Sequence, residues 1–194
     1  MKRVVLAAFV VLSASCGELT RQGTGSSYLT IEALEAASGA DPTEFGGDLA
    51  SDVLTVVEDV PTVFADPGRV NFALRMKDAG PAGSPTQPSS ANAITITRYR
   101  VQYIRSDGRN VQGVDVPYAF EGAFTVTVSD TAEATFTLVR VQAKAEAPLA
   151  SLVSSAVALS TIAEITFYGH DQTGREVTAV GRIGVSFANW GDPE

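Results

Sequence analysis

The feature that most constrains the fold is an alternation of apolar and polar residues that recurs along most of the chain. The longest example covers residues 94–105, where Ile94 and Ile96 share one parity and Tyr99 and Tyr103 share the other. A period of two is typical of a β-strand with one buried face. The change of phase between Ile96 and Tyr99 predicts a β-bulge, or a strand that crosses between two sheets.

Similar but shorter segments occupy much of the remaining sequence, and the β-branched residues Val, Thr and Ile recur throughout, as is usual in sheets. Strands are predicted at 28–34, 52–59, 69–76, 111–116, 124–128 and 134–141, with a closing hairpin of 162–170 and 177–187. Surface loops are predicted at 36–48 and 78–92, and a helical turn at 148–157. The sequence therefore predicts an all-β, Ig-like antiparallel β-sandwich of about seven to nine strands with at most one short helix.

The N-terminus has the layout of a secretory signal peptide. Lys2 and Arg3 precede an unbroken apolar run at 4–12, and three small residues follow at 13–15. Nine apolar residues span about 14 Å as a helix, which is too short to cross a hydrocarbon core of about 30 Å. Residues 1–15 are predicted to be a signal peptide, which makes this an exported protein.

Cys16 is the only cysteine in the chain, so no disulfide can form within it. Its position directly behind Ser13-Ala14-Ser15 resembles the lipobox of bacterial lipoproteins, although the place usually held by Leu is occupied by Ser13. The resemblance implies that Cys16 carries a lipid that anchors the protein in the cell envelope. The alternative is cleavage by ordinary signal peptidase, which leaves an unmodified Cys16 at the start of a secreted chain. Residues 16–27 are then a polar, flexible tether, and residues 28–194 are the Ig-like domain.

The charge balance excludes several partners. Removing residues 1–15 deletes two basic residues and no acidic one, which leaves 12 Lys and Arg against 22 Asp and Glu, a formal charge near −10. A surface this acidic repels phosphate backbones, so nucleic-acid binding is not expected. Anionic lipid headgroups are repelled for the same reason, so the predicted membrane contact is the N-terminal lipid alone.

Two further resemblances support the predicted fold. Residues 98–103 (RYRVQY) resemble the central strand of fibronectin type III modules, in which an aromatic residue, Val and a second aromatic residue alternate. Residues 97–117 and 161–193 resemble the C-terminal halves of exported proteins of environmental bacteria that have no assigned activity. This resemblance implies an Ig-like exported lipoprotein family and no particular chemistry.

No arrangement of residues predicts a catalytic or metal site. His170 is the only histidine, and its neighbours Asp171 and Glu176 invite a metal or acid–base role. A single histidine beside a polar turn lacks the partners that metal sites recruit, so it is interpreted as a solvated turn residue. The chain contains no G-x-S-x-G elbow, no Walker loop and no G-x-G-x-x-G after a strand, so neither a catalytic residue nor a cofactor is predicted.

Two binding hypotheses remain beside a simple solvated surface. Calcium could bind loop carboxylates, which occur at Asp41, Glu44 and Asp48 in one loop and at Asp107 and Asp115 around another. A sugar could stack on a platform of Tyr118, Phe120 and Trp190, although Trp190 is also suited to closing the end of the sandwich.

The sequence thus predicts a non-catalytic envelope lipoprotein that serves as a structural or adhesion module, with an envelope protein or a glycan as its partner. A carbohydrate- or solute-binding lipoprotein is the first alternative, and a hydrolase with a site assembled from distant loops is the second. Aligned exposed aromatic residues would indicate the first alternative, and a pocket of converging carboxylates the second. An open sheet edge would fit the structural module.

Overall fold

A computed structural model describes residues 25–190, so Cys16 and the predicted signal peptide lie outside the described residues. These residues are predominantly β-structure, and they include one five-residue α-helix, α1, at Val141–Ala145 and 3-10 turns at Ser90–Asn92 and Leu149–Ser154. The strands are β1 Ser27–Ser38, β2 Asp41–Gly46, β3 Asp48–Asp52, β4 Thr55–Val57, β5 Val60–Thr62, β6 Asp66–Met76, β7 Ile94–Ile104, β8 Phe120–Val128, β9 Thr131–Val139, β10 Leu159–Asp171 and β11 Glu176–Ala188.

Two sheets form the sandwich, and their strand orders are those of an Ig-like domain. One sheet has the order β2-β1-β6-β9, and the other has the order β3-β11-β10-β7-β8. The units β1-β6-β9 and β11-β10-β7-β8 correspond to strands A-B-E and G-F-C-C′ of Ig-like sandwiches. The short β3 pairs in parallel with the last strand, β11, whereas the neighbouring pairs in both sheets are antiparallel. The predicted all-β sandwich is confirmed, with short added strands at its edges.

Strand β7 confirms the most constraining sequence pattern. Ile94, Ile96, Tyr99, Val101 and Tyr103 are all buried, which requires the change of parity that the sequence shows. The pairing of β7 with β10 shifts register where Ile96 is followed by Thr97, and the pairing with β8 shifts at the same place. The predicted bulge therefore lets one strand present both sets of apolar residues to the same core.

The core between the sheets is built around aromatic rings. The Phe167 ring lies 5.0–6.5 Å from the rings of four other residues. Most of these pairs have the edge-to-face arrangement that aromatic rings favour. These four residues come from β6, β7, β8 and β9: Phe72, Tyr99, Phe124 and Phe136. Phe167 thus joins strands from both sheets.

The closing hairpin is confirmed as a core element. Strands β10 and β11 pair without a register shift from Leu159↔Phe187 to His170↔Glu176. The side chains predicted to share the buried face are at most 3% exposed: Ile165, Phe167, Ile183, Val185 and Phe187.

The predicted loop at 36–48 is wrong. Strand β1 continues to Ser38, the chain turns, and β2 pairs back on β1 before β3 crosses to the other sheet. The Gly and Pro residues suggested a loop, but β2 and β3 are edge strands, and an edge strand tolerates Pro42 because one of its sides makes no ladder hydrogen bonds.

Two other strand predictions are also wrong. Residues 52–59 do not form one strand: β3 ends at Asp52, and β4 folds back on β5 as a separate two-stranded hairpin. Residues 111–116 form a turn around Gly113, whose φ of +75° suits glycine, and they make one isolated bridge. Val111 and Val114 are 60% and 67% exposed and Val116 is buried, so the apolar residues of this segment do not share one buried face.

The connections hold two features that the sequence did not predict, α1 and the crossing between the sheets after β8. The helical turn predicted at 148–157 is the 3-10 turn Leu149–Ser154, and α1 precedes it without a sequence signal. Strands β8 and β9 follow each other after only two residues but belong to different sheets, so this tight turn crosses between the layers. The loop predicted at 78–92 is confirmed, with the turn Ser90–Asn92 as its only regular element.

The two ends of the sandwich differ in what they present. The hairpin end holds the start of β1 at Ser27, the end of β6 at Met76 and the turn between β10 and β11. The loop end, opposite to it, holds the β4–β5 hairpin, residues 105–119, residues 140–158 and Trp190. Within residues 25–190, no helix is long and apolar enough to span a membrane.

Candidate functional site

His170 lies at the hairpin end, on the outer face of the sheet, beside an open cavity of about 530 Å³. The Arg98 guanidinium stacks 4.1 Å from the centre of the Tyr168 ring in the same wall. Arg98 also pairs with Glu121 at 3.1 Å. Arg98 and Tyr168, which line this cavity with His170, therefore already contact each other.

Among the described residues, the His170 ring makes one polar contact. Its Nδ1 lies 3.3 Å from the Asp171 carbonyl oxygen, and no carboxylate of the described residues lies within 4.0 Å of the ring. Partial burial opposes ionisation of Asp171, but hydrogen bonds from Thr173 and Arg175 lower the pKa of its carboxyl group. Asp171 thus shapes the turn, and His170 is exposed beside it as predicted.

The carboxylates considered for calcium do not form a metal site. Asp41, Glu44 and Asp48 line one open cavity of about 350 Å³ between β2 and β3. Across the described residues, however, no three potential ligands lie close enough to hold a metal ion. The Asp41 carboxylate instead accepts a hydrogen bond of 2.7 Å from the Thr43 hydroxyl.

The carboxylates of Asp107 and Asp115 are likewise engaged in hydrogen bonds within their own loop. A hydrogen bond from the Arg105 guanidinium, with further bonds from Arg109, holds the pKa of Asp107 well below its usual range. The Asp115 carboxylate accepts the Val111 backbone N–H at 3.2 Å. These two carboxylates organise the loop rather than converge on a common point.

The three aromatic residues of the predicted sugar platform are not brought together. Phe120 is buried at the start of β8, whereas Trp190 follows β11, and two strands lie between β8 and β11. Adjacent strands are about 4.8 Å apart, so these residues are separated by about 14 Å or more. Trp190 is 39% exposed and borders a separate cavity with Asp41 and Asp52, so it does not plug the core.

The loop end carries most of the exposed apolar surface, which the sequence did not reveal. Of eleven large apolar side chains that are exposed in residues 25–190, all but Tyr28, Ile162 and Val180 lie at this end. The eight are Val57, Val60, Val111, Val114, Tyr118, Val141, Val157 and Trp190. Scattered exposed apolar residues are ordinary, but their concentration in one region marks interaction surfaces.

Beneath the loop end lies a buried ion pair that was also not predicted. The Lys144 ammonium group of α1 lies 2.9 Å from both Asp66 carboxylate oxygens, and both side chains are at most 1% exposed. Asp66 also accepts hydrogen bonds from the Ser51 hydroxyl at 2.6 Å and the Gly39 backbone N–H at 2.8 Å. No spacing rule connects these residues, because they meet only when β1, β3, β6 and α1 have packed.

Tyr103 lies close to this ion pair and ties the two sheets together. Burial raises the pKa of its phenol far above the ordinary value, and the Asp66 charge raises it further. The hydroxyl therefore stays protonated and donates a hydrogen bond of 2.7 Å to the Leu138 carbonyl oxygen. The role of the pair and of Tyr103 is to hold the loop end in shape.

The contacts of His170 bear on the hydrolase hypothesis. Among residues 25–190, no serine or threonine hydroxyl is hydrogen-bonded to His170, whose ring contacts a backbone carbonyl instead. The cavity lined by Asp41, Glu44 and Asp48 brings carboxylates together without such a nucleophile–base pair. No protein-family model and no curated protein matches the sequence of this chain.

Proposed function

We propose that the chain is a non-catalytic interaction module of the cell envelope, tethered through a lipid on Cys16, which binds a partner protein with its loop end. The observation that carries this proposal is the concentration of eight exposed apolar side chains at that end. Apolar and aromatic residues surrounded by polar ones are typical of protein–protein interfaces.

The direction of the chain supports this choice of surface. Strand β1 begins at the hairpin end, so the segment that joins it to Cys16 leaves from there. The nine peptide units between Cys16 and Gly25 reach at most about 30 Å. A lipid on Cys16 would keep the hairpin end near the membrane, and the loop end would face away from it.

The glycan alternative has less support, because Phe120 is buried and is separated from Trp190 by two strands. The hydrolase alternative depends on the cavity at Asp41 alone. A protein partner accounts for the exposed valines, which offer a sugar neither a stacking face nor a hydrogen bond.

Cys16→Ser is expected to move the protein from the membrane fraction to a soluble fraction, or to stall it as an unprocessed precursor. The physical reason is that serine lacks the thiol that receives the lipid, and the acidic domain has no attraction of its own for anionic headgroups. Fractionation followed by immunoblotting measures the shift. Mass spectrometry that finds an unmodified Cys16 at the N-terminus of the wild-type mature protein would contradict the lipid anchor.

A photo-reactive phenylalanine analogue at Val114 is expected to give a discrete cross-linked adduct in intact cells. The matched position is Val180, which is also exposed but lies on the face of the sheet rather than at the loop end. An adduct from position 114 and none from position 180 is the predicted pattern on an immunoblot. Adducts of equal yield from both positions, or none from either, would remove the support for a docking surface at the loop end.

A further inference from the structure

Arg140 is unusual among the arginines of the described chain. Eight of the nine arginines in residues 25–190 have a carboxylate within 4.0 Å, and Arg140 has none. The chain has 22 acidic residues, so an arginine without an acidic neighbour is not explained by composition. Its charge has no carboxylate partner in the described structure.

The position of Arg140 places this charge at the loop end. Arg140 directly follows β9, and its guanidinium carbon lies 4.4 Å from the centre of the Phe120 ring. Its Nε is buried and has no hydrogen-bond partner. Val141, the next residue, is 44% exposed, and Tyr118, two residues before Phe120, is 50% exposed.

These contacts define the chemistry of a ligand. A guanidinium held against an aromatic ring is oriented and partly shielded from water, which strengthens its attraction for an anion. Its terminal N–H groups match a carboxylate, and Val141 and Tyr118, which are exposed, lie next to Arg140 and two residues before Phe120 in the chain. Arg, Tyr and Trp are also the residues that most often dominate binding energy in interfaces.

A single carboxylate fits better than a phosphate. The other arginines of the loop end, Arg105 and Arg109, are both paired with Asp107. Among the described arginines of the loop end, Arg140 alone has no carboxylate partner, and the acidic domain as a whole repels multiply charged anions.

From these observations we infer that Arg140 anchors a carboxylate of the partner, carried next to an aliphatic group that packs on Val141 and Tyr118. The C-terminal carboxylate of a partner chain that ends in an aliphatic residue has this chemistry. The inference rests on the proposed function, because it specifies the partner of the same loop end.

Isovalerate is a minimal probe for this site, and isovaleramide is its uncharged counterpart. Each is titrated into the full mature chain, labelled with ¹⁵N and carrying Cys16→Ser so that it is free of lipid. Isovalerate is expected to shift the backbone amide signals of Phe120 and Val141 in a saturable manner. Isovaleramide, and inorganic phosphate at the same ionic strength, are expected to leave them unchanged.

Arg140→Gln is expected to weaken the response to isovalerate by about tenfold or more, because it removes the charge-assisted pair of hydrogen bonds. Arg109→Gln is the matched control, since it removes one charge from the same end and should leave the titration unchanged. If Arg140→Gln does not fold, Arg140→Lys keeps the charge without the fork and should still weaken binding.

Equal shifts with isovaleramide, saturation by phosphate, or an unchanged titration in the Arg140 variants would overturn the inference. Its failure can be separated from failure of the proposed function by the cross-linking at Val114. An adduct there without a carboxylate response would leave the interaction module standing with a partner of other chemistry. A carboxylate response without any adduct would place a small-molecule site at the loop end instead.

Discussion

Asp66→Ala is expected to lower the free energy of unfolding by about 3–5 kcal/mol, because it leaves the Lys144 ammonium group buried without a counter-charge. The side chains of both residues are at most 1% exposed, and Asp66 is the one hydrogen-bond partner of the Lys144 Nζ in the described structure. A domain is held together by roughly 5–15 kcal/mol in total, so this variant should be near the limit of folding. Chemical denaturation followed by tryptophan fluorescence or circular dichroism measures the loss.

Lys144→Met is expected to cost less than Asp66→Ala. In this variant the Asp66 carboxylate keeps its hydrogen bonds from the Ser51 hydroxyl and the Gly39 N–H, and the methionine fills the space of the lysine stem. A double variant, Asp66→Ala with Lys144→Met, should be more stable than the sum of the two single effects predicts. The reason is that it removes both charges, so no unpaired charge is buried.

The control is an exposed ion pair with a similar contact distance. Arg182 and Glu164 are 2.7 Å apart, but the Arg182 side chain is 67% exposed. Solvent screens such a pair, so Arg182→Ala should change stability by about 1 kcal/mol or less. A cost of Asp66→Ala as small as that of Arg182→Ala would show that the buried pair does not hold the loop end.

Phe187→Ala is expected to lower the free energy of unfolding by about 3–5 kcal/mol, because it opens a cavity in the core. The Phe187 side chain is fully buried, and its ring lies edge-to-face at 5.5 Å from the Tyr103 ring of β7. The loss should therefore appear as a large drop in the melting temperature and in the denaturation midpoint.

His170→Ala, on the neighbouring strand of the same hairpin, is the matched comparison. The side chain is exposed and has no ion pair, so the change should be about 0.5 kcal/mol or less. Thermal melts of both variants beside the wild type make the test. A neutral Phe187→Ala would mean that the hairpin is not a core element, and a lost ligand or metal response in an otherwise stable His170→Ala would give this histidine a function.

The parts of the fold that could be predicted from sequence are the strands with one buried face. In β7 and in the β10–β11 hairpin, period-two alternation reports burial directly, because successive side chains point to opposite faces of a sheet. Even the bulge near Thr97 was visible, since it shifts the parity of the apolar residues.

The pattern was uninformative where strands lie at an edge or at an end. In strand β2, four residues are exposed and the last two are half-buried, so no alternation of buried and exposed residues marks it. Its Gly and Pro residues therefore suggested a loop. Residues 111–116 alternate weakly, but Val111 and Val114 are exposed and only Val116 of the three valines is buried. The two exposed valines belong to the surface of the loop end, which an isolated sequence cannot distinguish from a core.

The candidate site was the least predictable part, because its residues are distant in the chain. Asp66 and Lys144 are 78 positions apart, and Arg140 and Phe120 come from the ends of strands in different sheets. A single aspartate, a single lysine and a single arginine that are far apart in the chain form no sequence motif. A motif is recognised from residues at fixed, short spacings.

By itself, the sequence determined the all-β class, the closing hairpin and the parity of the central strand, because these follow from local alternation and turn residues. It also predicts export and a lipid on Cys16, which lies outside the described residues. Only the tertiary structure decided the order of the strands, the burial of the Asp66–Lys144 pair, the isolation of Arg140 and the gathering of exposed apolar residues at one end. The reason is that contacts between distant segments depend on which sheet each strand joins, and alternation along a strand does not specify its neighbours.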